Sequence, residues 1–144
     1  MPRHSILEYL ENFQRPDTAY VHRRGYRSYR WSYREVAEVA AQFARELESR
    51  QIGKGDHVLL WGENCAEWVA VFWGCILRGA VVIPMDRTAA ADFVGRVAEQ
   101  VAPRLAVCSA DLGSALASVP AVRVGPEPQA ADLGDESSTA PAEP

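Results

Sequence analysis

Lysine is almost missing from this chain: fourteen of its fifteen basic residues are arginine, and Lys54 stands alone. Any chemistry that needs an amine, whether a Schiff base or a lysine on a phosphate, therefore has one candidate. Neither G-x-x-x-x-G-K-[ST] nor G-x-G-x-x-G fits anywhere, so the two glycine-rich phosphate cradles are excluded, and Gly53-Lys54-Gly55 reads as a turn between a helix and a strand. Cysteine is sparse and odd in number: Cys65, Cys75 and Cys108 share no C-x-x-C or zinc spacing, which argues for reduced thiols rather than a disulfide framework. His4, His22 and His57 have no metal-ligand spacing and no nucleophile motif beside them. The longest apolar run, residues 68–77, ends at Arg78, short of the roughly 20 residues that span a bilayer. The opening Met1-Pro2-Arg3-His4 lacks the apolar stretch of a signal peptide. A chain that is not an integral membrane protein, located in the cytoplasm, is the expectation.

What is present suits one globular unit. The 144 residues are 48% hydrophobic and 24% charged, with a net charge of −4, too mild to point to nucleic acid or membrane by itself. Charge is unevenly spread. Residues 126–144 hold five acids, four prolines and no base, too polar to order by burial, so they read as an acidic Pro-rich linker after a folded unit of residues 1–125. Residues 1–34 hold seven arginines against three acids.

Periodicity supplies the elements. Ser5 can cap a short helix over residues 5–14, with Ile6, Leu7, Leu10 and Phe13 at helical spacing and Pro16 closing it. Residues 18–23 and 26–31, rich in aromatic and β-branched types around Arg24-Gly25, predict a β-hairpin. Ser32-Tyr33-Arg34-Glu35 is a capping box that starts an amphipathic helix, with Gly53 expected as its left-handed cap. Residues 56–61 follow as a strand with little alternation, the mark of burial on both faces of a parallel sheet. Asn64 is expected to cap a buried helix over residues 66–77 that Gly79 stops, and residues 80–84 form a second buried strand. Pro84 is expected to end that strand in a turn to Asp86. A helix over residues 89–102, a strand at 105–108, a short helix near 111–117 and a strand at 121–124 continue the alternation. The fold class predicted is α/β, a mainly parallel sheet with flanking helices, preceded by a hairpin.

Residues 20–34 interleave five aromatics with five arginines, a pattern that can stack bases and neutralise phosphates. An exposed hairpin with arginine on its edges and aromatics on its packed face has the same composition. No nucleic-acid partner is expected, and RNA binding through the hairpin is kept only as an alternative.

Two strings carry more. Trp31-Ser32-Tyr33-Arg34-Glu35-Val36 is the first; the second runs from Trp61-Gly62-Glu63-Asn64 through Glu67-Trp68 to Leu77-Arg78-Gly79-Ala80-Val81-Val82-Ile83-Pro84-Met85-Asp86. Together they resemble the N-terminal part of AMP-forming acyl-CoA synthetases, in the adenylate-forming ligase superfamily. The likeness covers residues 17–108, and Gly62-Glu63-Asn64 with Glu67-Trp68 is most similar to the long-chain fatty acid branch. The resemblance implies an enzyme that activates a fatty acid with ATP and magnesium and passes the acyl group to coenzyme A.

The phosphate loop and catalytic lysine of that family match nothing in this chain, and Lys54 lies in a predicted turn. No catalytic, cofactor-binding or metal residue is carried over. Ser32, Tyr33, Glu35, Gly62, Asn64, Trp68, Gly79, Pro84 and Asp86 are the family-matching positions, read as structural. Trp61, Trp68, Phe72 and Trp73 are read as core rather than as the wall of an acyl tunnel, since helical spacing alone explains their placement. The leading expectation is a fragment that is silent alone and whose partner is the remainder of the enzyme; a homodimer is compatible with it. A stand-alone α/β binding or interaction module is the alternative.

Overall fold

The computed structural model describes residues 5–109, 112, 116 and 119–123. The first element is shorter than expected. A single α turn, α1 (Leu7–Leu10), continues as a 3-10 turn over Glu11–Gln14, because Ser5 contributes only a 3.2 Å bond to the Leu7 N–H and no residue of the turn is buried. Strands β1 (Thr18–Arg24) and β2 (Arg27–Ser32) form the antiparallel hairpin. Its two-residue turn is Gly25-Tyr26, one position later than predicted, with Gly25 at φ +59° in the first central place, where a glycine is favoured.

The capping box is formed. Ser32 Oγ accepts from the Glu35 N–H at 3.1 Å while Glu35 Oε2 accepts from the Ser32 N–H at 2.7 Å, and helix α2 (Tyr33–Ser49) starts there. Gly53 is not its cap. The helix ends four residues earlier, and the residue with positive φ is Gln51 at +58°. The Gly53 N–H is turned instead to Asp56 Oδ2 at 2.9 Å, so Gly53 closes the loop into β3.

Strands β3 (His57–Gly62), β4 (Val81–Asp86), β5 (Leu105–Cys108) and β6 (Ala121–Arg123) make one sheet in the order β4-β3-β5-β6, every pair parallel. Helices α2 and α3 (Ala66–Arg78) cover one face and α4 (Ala91–Val101) the other. Alternation in β3 explains its unbroken apolar sequence. Val58 and Leu60 enter one core with Leu47, Val71, Cys75, Leu105 and Val107, while Leu59 and Trp61 enter the other with Val94, Ala98, Ala106 and Cys108. Each fully buried valine or leucine among them contributes about 1.5–3 kcal/mol. Helices α2 and α3 come unusually close at Gly74, where an added β-carbon would lie 2.8 Å from the Ala40 carbonyl oxygen.

Pro84 does not end its strand. It pairs with Leu60 inside β4, which runs on to Asp86. The Val81 N–H donates to the carbonyl of Asp56, the residue just before β3, so by the alternation of a parallel ladder Val82 and Pro84 turn their backbone polar groups to the outer edge. The nitrogen without a hydrogen thus sits where no ladder bond is required. Gly79 does stop α3, in the left-handed region at φ +72°, with its N–H returned to the Cys75 and Ile76 carbonyls. The predicted strand at 121–124 is present as β6 through Arg123; the predicted helix near 111–117 and the acidic stretch 126–144 fall wholly or mostly outside the described residues.

Candidate functional site

In a parallel sheet the crevice for ligands opens at the carboxyl ends of the strands, where strand order reverses. Here β3 precedes both β4 and β5 and lies between them, so the reversal falls at β3 and β5, with Gly62 and Ser109 at its mouth. The Ser109 N–H donates to the Trp61 carbonyl at 3.2 Å, and Ser109 Oγ accepts from the Glu63 N–H at 3.3 Å. Gly62 makes this approach available: a β-carbon there would lie 2.6 Å from Ser109 Oγ. Ser109 went unnoticed in the sequence, although a serine directly after a buried strand was a usable signal.

Asn64 stands at the same mouth without the expected role. Helix α3 begins at Ala66 as expected, but Cys65 is the N-cap, in extended backbone at φ −141°, and no side chain caps the helix. Asn64 is exposed and hydrogen-bonds to none of the described side chains or backbone groups. Burial pushes the neighbouring Cys65 thiol up to about 11. Across the mouth, Asp86 Oδ1 accepts from the Thr88 hydroxyl at 2.6 Å and the Thr88 N–H at 2.7 Å, which holds its carboxyl below the ordinary 3.8. The Trp61 indole N–H donates to the Asp86 carbonyl at 3.0 Å and ties β3 to the end of β4, and Arg87 lies 3.8 Å from Glu63.

The remaining matched positions lie away from this mouth. Tyr33 packs edge-on against Phe13 at 5.2 Å under the Arg15 guanidinium, so the segment before β1 is pinned to the start of α2. Trp68 stacks on Phe72 at the margin of the α2–α3 core, and its indole nitrogen is buried without a hydrogen-bond partner. Of the four residues read as core, Trp61 alone is fully buried; Trp68, Phe72 and Trp73 are half-buried.

The donor set does not fit ATP and magnesium. Among the described residues no three His, Cys, Asp or Glu side chains converge to hold a metal ion. Lys54 sits in the loop before His57, at the opposite end of a six-residue strand from Gly62, a separation of about 20 Å. It cannot meet a ligand at the mouth, and no reaction step is derived through a nucleotide. What the described residues can do is tie the carboxyl ends of β3, β4 and β5 to one another through Trp61, Glu63, Asp86 and Ser109. No helix among the described residues is long and apolar enough to cross a membrane.

Comparison with known proteins gives one consistent answer. The family model described as AMP-binding enzyme matches residues 11–143. YngI of Bacillus subtilis (strain 168), named as an acyl-CoA synthetase, is 37% identical over 60 residues, 42% of this chain and 11% of that protein. A D-alanine–D-alanyl carrier protein ligase of Bacillus mycoides (strain KBAB4) is 27% identical over 110 residues, 74% of this chain and 21% of that protein. The crystal structure of IdnL1 superposes with a TM-score of 0.73 at 24% identity, covering 88% of this chain and 27% of that one, a likeness of fold. The chain thus spans only a small part of the length of the relatives it matches.

Proposed function

This chain belongs to the AMP-binding enzyme family, and from that premise we propose that it forms the N-terminal scaffold of an AMP-forming acyl ligase that activates a fatty acid with ATP and magnesium and hands the acyl group to coenzyme A. The observation that carries the reading is the extent of the family match, residues 11–143, which takes in both helical faces and the whole sheet rather than one motif. The acyl-CoA synthetase name of YngI supports coenzyme A as acceptor, and Gly62-Glu63-Asn64 with Glu67-Trp68 supports the long-chain branch.

In this reading residues 1–125 are the folded unit, residues 126–144 a linker, and the partner of the unit is the remainder of the ligase. Ser32, Tyr33, Glu35, Gly62, Asn64, Trp68, Gly79, Pro84 and Asp86 shape the scaffold and touch no reacting atom. Free thiols at Cys65, Cys75 and Cys108 support a cytoplasmic setting. Catalysis then requires charged groups that converge on the triphosphate, and the described residues have none.

The test is pyrophosphate release. Purified residues 1–144 with ATP, magnesium and palmitate should release none above a no-enzyme control, and the same residues extended by the rest of the family's domain should release it in a palmitate-dependent way. Release by residues 1–144 alone, or an extended protein that ignores palmitate while accepting an amino acid, would overturn the proposal.

A further inference from the structure

The β1–β2 hairpin carries its aromatic rings on one face, with Arg27 beside them, and Arg23 and Arg30 on the other. Tyr20, His22, Tyr29 and Trp31 share the first, half-buried, with the His22 ring stacked on Tyr29 at 5.6 Å. The pairings Val21 with Arg30 and Arg23 with Ser28 place those four residues on the other, and all four are exposed, Val21 to 56%. Arg23 and Arg30 are therefore diagonal neighbours of like sign, an arrangement that repels unless an anion lies between them. Neither makes an ion pair with a described residue. The two acids flanking the hairpin are engaged elsewhere, Asp17 with Arg15 at 3.3 Å and Glu35 in the capping box, and residues 18–34 contain no acid at all.

We infer that this arginine face is the docking surface for the chain's own acidic segment, residues 126–144. Charge complementarity is the first argument: that segment has five carboxylates and no base, and an arginine guanidinium binds a carboxylate through paired N–H donors. Reach is the second. The 21 residues after Arg123 extend up to about 70 Å at about 3.3 Å each, against a diameter of about 35 Å for a unit of this size. Tethering is the third, since a segment of the same chain competes at an effective millimolar concentration with any free polyanion. Tyr20, His22, Tyr29 and Trp31 lie on the opposite face together with Arg27, so the surface of Val21, Arg23, Ser28 and Arg30 itself offers no ring for a base to stack on. The inference is independent of the ligase reading.

Amide NMR spectra of the full 144-residue chain test it, compared with a variant carrying Glu127→Gln, Asp132→Asn, Asp135→Asn, Glu136→Gln and Glu143→Gln. In the parent, raising salt from about 10 mM to about 1 M, which shortens the screening length from about 30 Å to about 3 Å, should move the resonances of residues 21–30. The neutralised variant should show the high-salt positions already at low salt. An Arg23→Ser plus Arg30→Ser variant should shift the resonances of residues 127–143 at low salt. Hairpin resonances that coincide in parent and neutralised variant at low salt would overturn the proposal. So would a single-stranded RNA oligonucleotide that binds both proteins equally, because an occupied face must bind it more weakly than a vacated one.

Discussion

Gly62 and Ser109 are in contact where β3 and β5 end, and the contact depends on the missing side chain: the serine hydroxyl oxygen lies 2.6 Å from where a β-carbon of residue 62 would be. Gly62→Ala should therefore destabilise the chain by about 1–3 kcal/mol, the range for overpacking a tight site. Ser109→Ala removes the closest atom but leaves the Ser109 amide 3.3 Å away, so relief should be partial. Urea unfolding of both single variants and the double variant should show a double-variant cost smaller than the sum of the two. Strict additivity would mean the two residues are not coupled.

Two other glycines should respond with opposite sign. At Gly74 a β-carbon would meet the Ala40 carbonyl oxygen at 2.8 Å and Phe43 at 2.9 Å, and backbone cannot move aside as a flexible side chain can, so Gly74→Ala should lower stability by about 1–3 kcal/mol. At Gly95, inside α4, nothing lies within 4 Å of that position, and Gly95→Ala should raise stability by up to about 1 kcal/mol through helix propensity. Denaturant midpoints compare the pair directly.

Loss of the α2 cap should be measurable although both its bonds are at the surface. Ser32→Ala leaves the Glu35 N–H without its acceptor and should cost about 1 kcal/mol, whereas Ser32→Asp, which supplies an oxygen at the same place, should cost less. Thermal unfolding of the two variants tests the order.

Asp86 provides a pH-dependent check. The Thr88 hydroxyl and N–H bond to its charged form and hold its carboxyl below the ordinary 3.8, so this interaction stabilises the fold above that value and is lost as pH falls through the lower, folded one. Thr88→Ala removes the hydroxyl bond and keeps the N–H, and the Asp86 side-chain carbon should then titrate nearer 3.8 in a carbon NMR experiment. An unchanged midpoint would contradict the assigned cause.

The cysteines make the opposite case. Burial pushes Cys75 up to about 12 and Cys108 up to about 11 from an ordinary 9.0, so both stay protonated and unreactive in the native state near neutral pH. Their contribution to stability is complete below 9.0 and declines as pH rises through 11 and 12, because the unfolded thiols ionise first. Iodoacetamide should modify Cys75 and Cys108 at pH 8 only after denaturant is added, as read by mass spectrometry.

Much of this architecture was legible because it is local. The capping box at Ser32 and Glu35, the glycine stop at Gly79 and the unalternating strand over residues 57–62 are each written within a few consecutive residues. The errors were also local in kind, arising where two adjacent residues could serve. Asn64 and Cys65 competed for one N-cap, and the backbone took the cysteine; Gln51, rather than Gly53, took the left-handed position. Pro84 was misplaced for a different reason: a proline within a strand is excluded only from a strand paired on both sides, and among the described strands β4 is at the edge.

The chain's own residues, taken in order, determine its α/β class, the type of nearly every element and the absence of a second lysine, because helix caps, periodicity and composition act over a turn or two of backbone. Only the tertiary structure decided that β4 is an edge, that Ser109 closes over Gly62 and that Lys54 lies at the far end of the sheet from that mouth. Those are relations between residues far apart in the chain, and they exist only once packing has chosen one order for the strands.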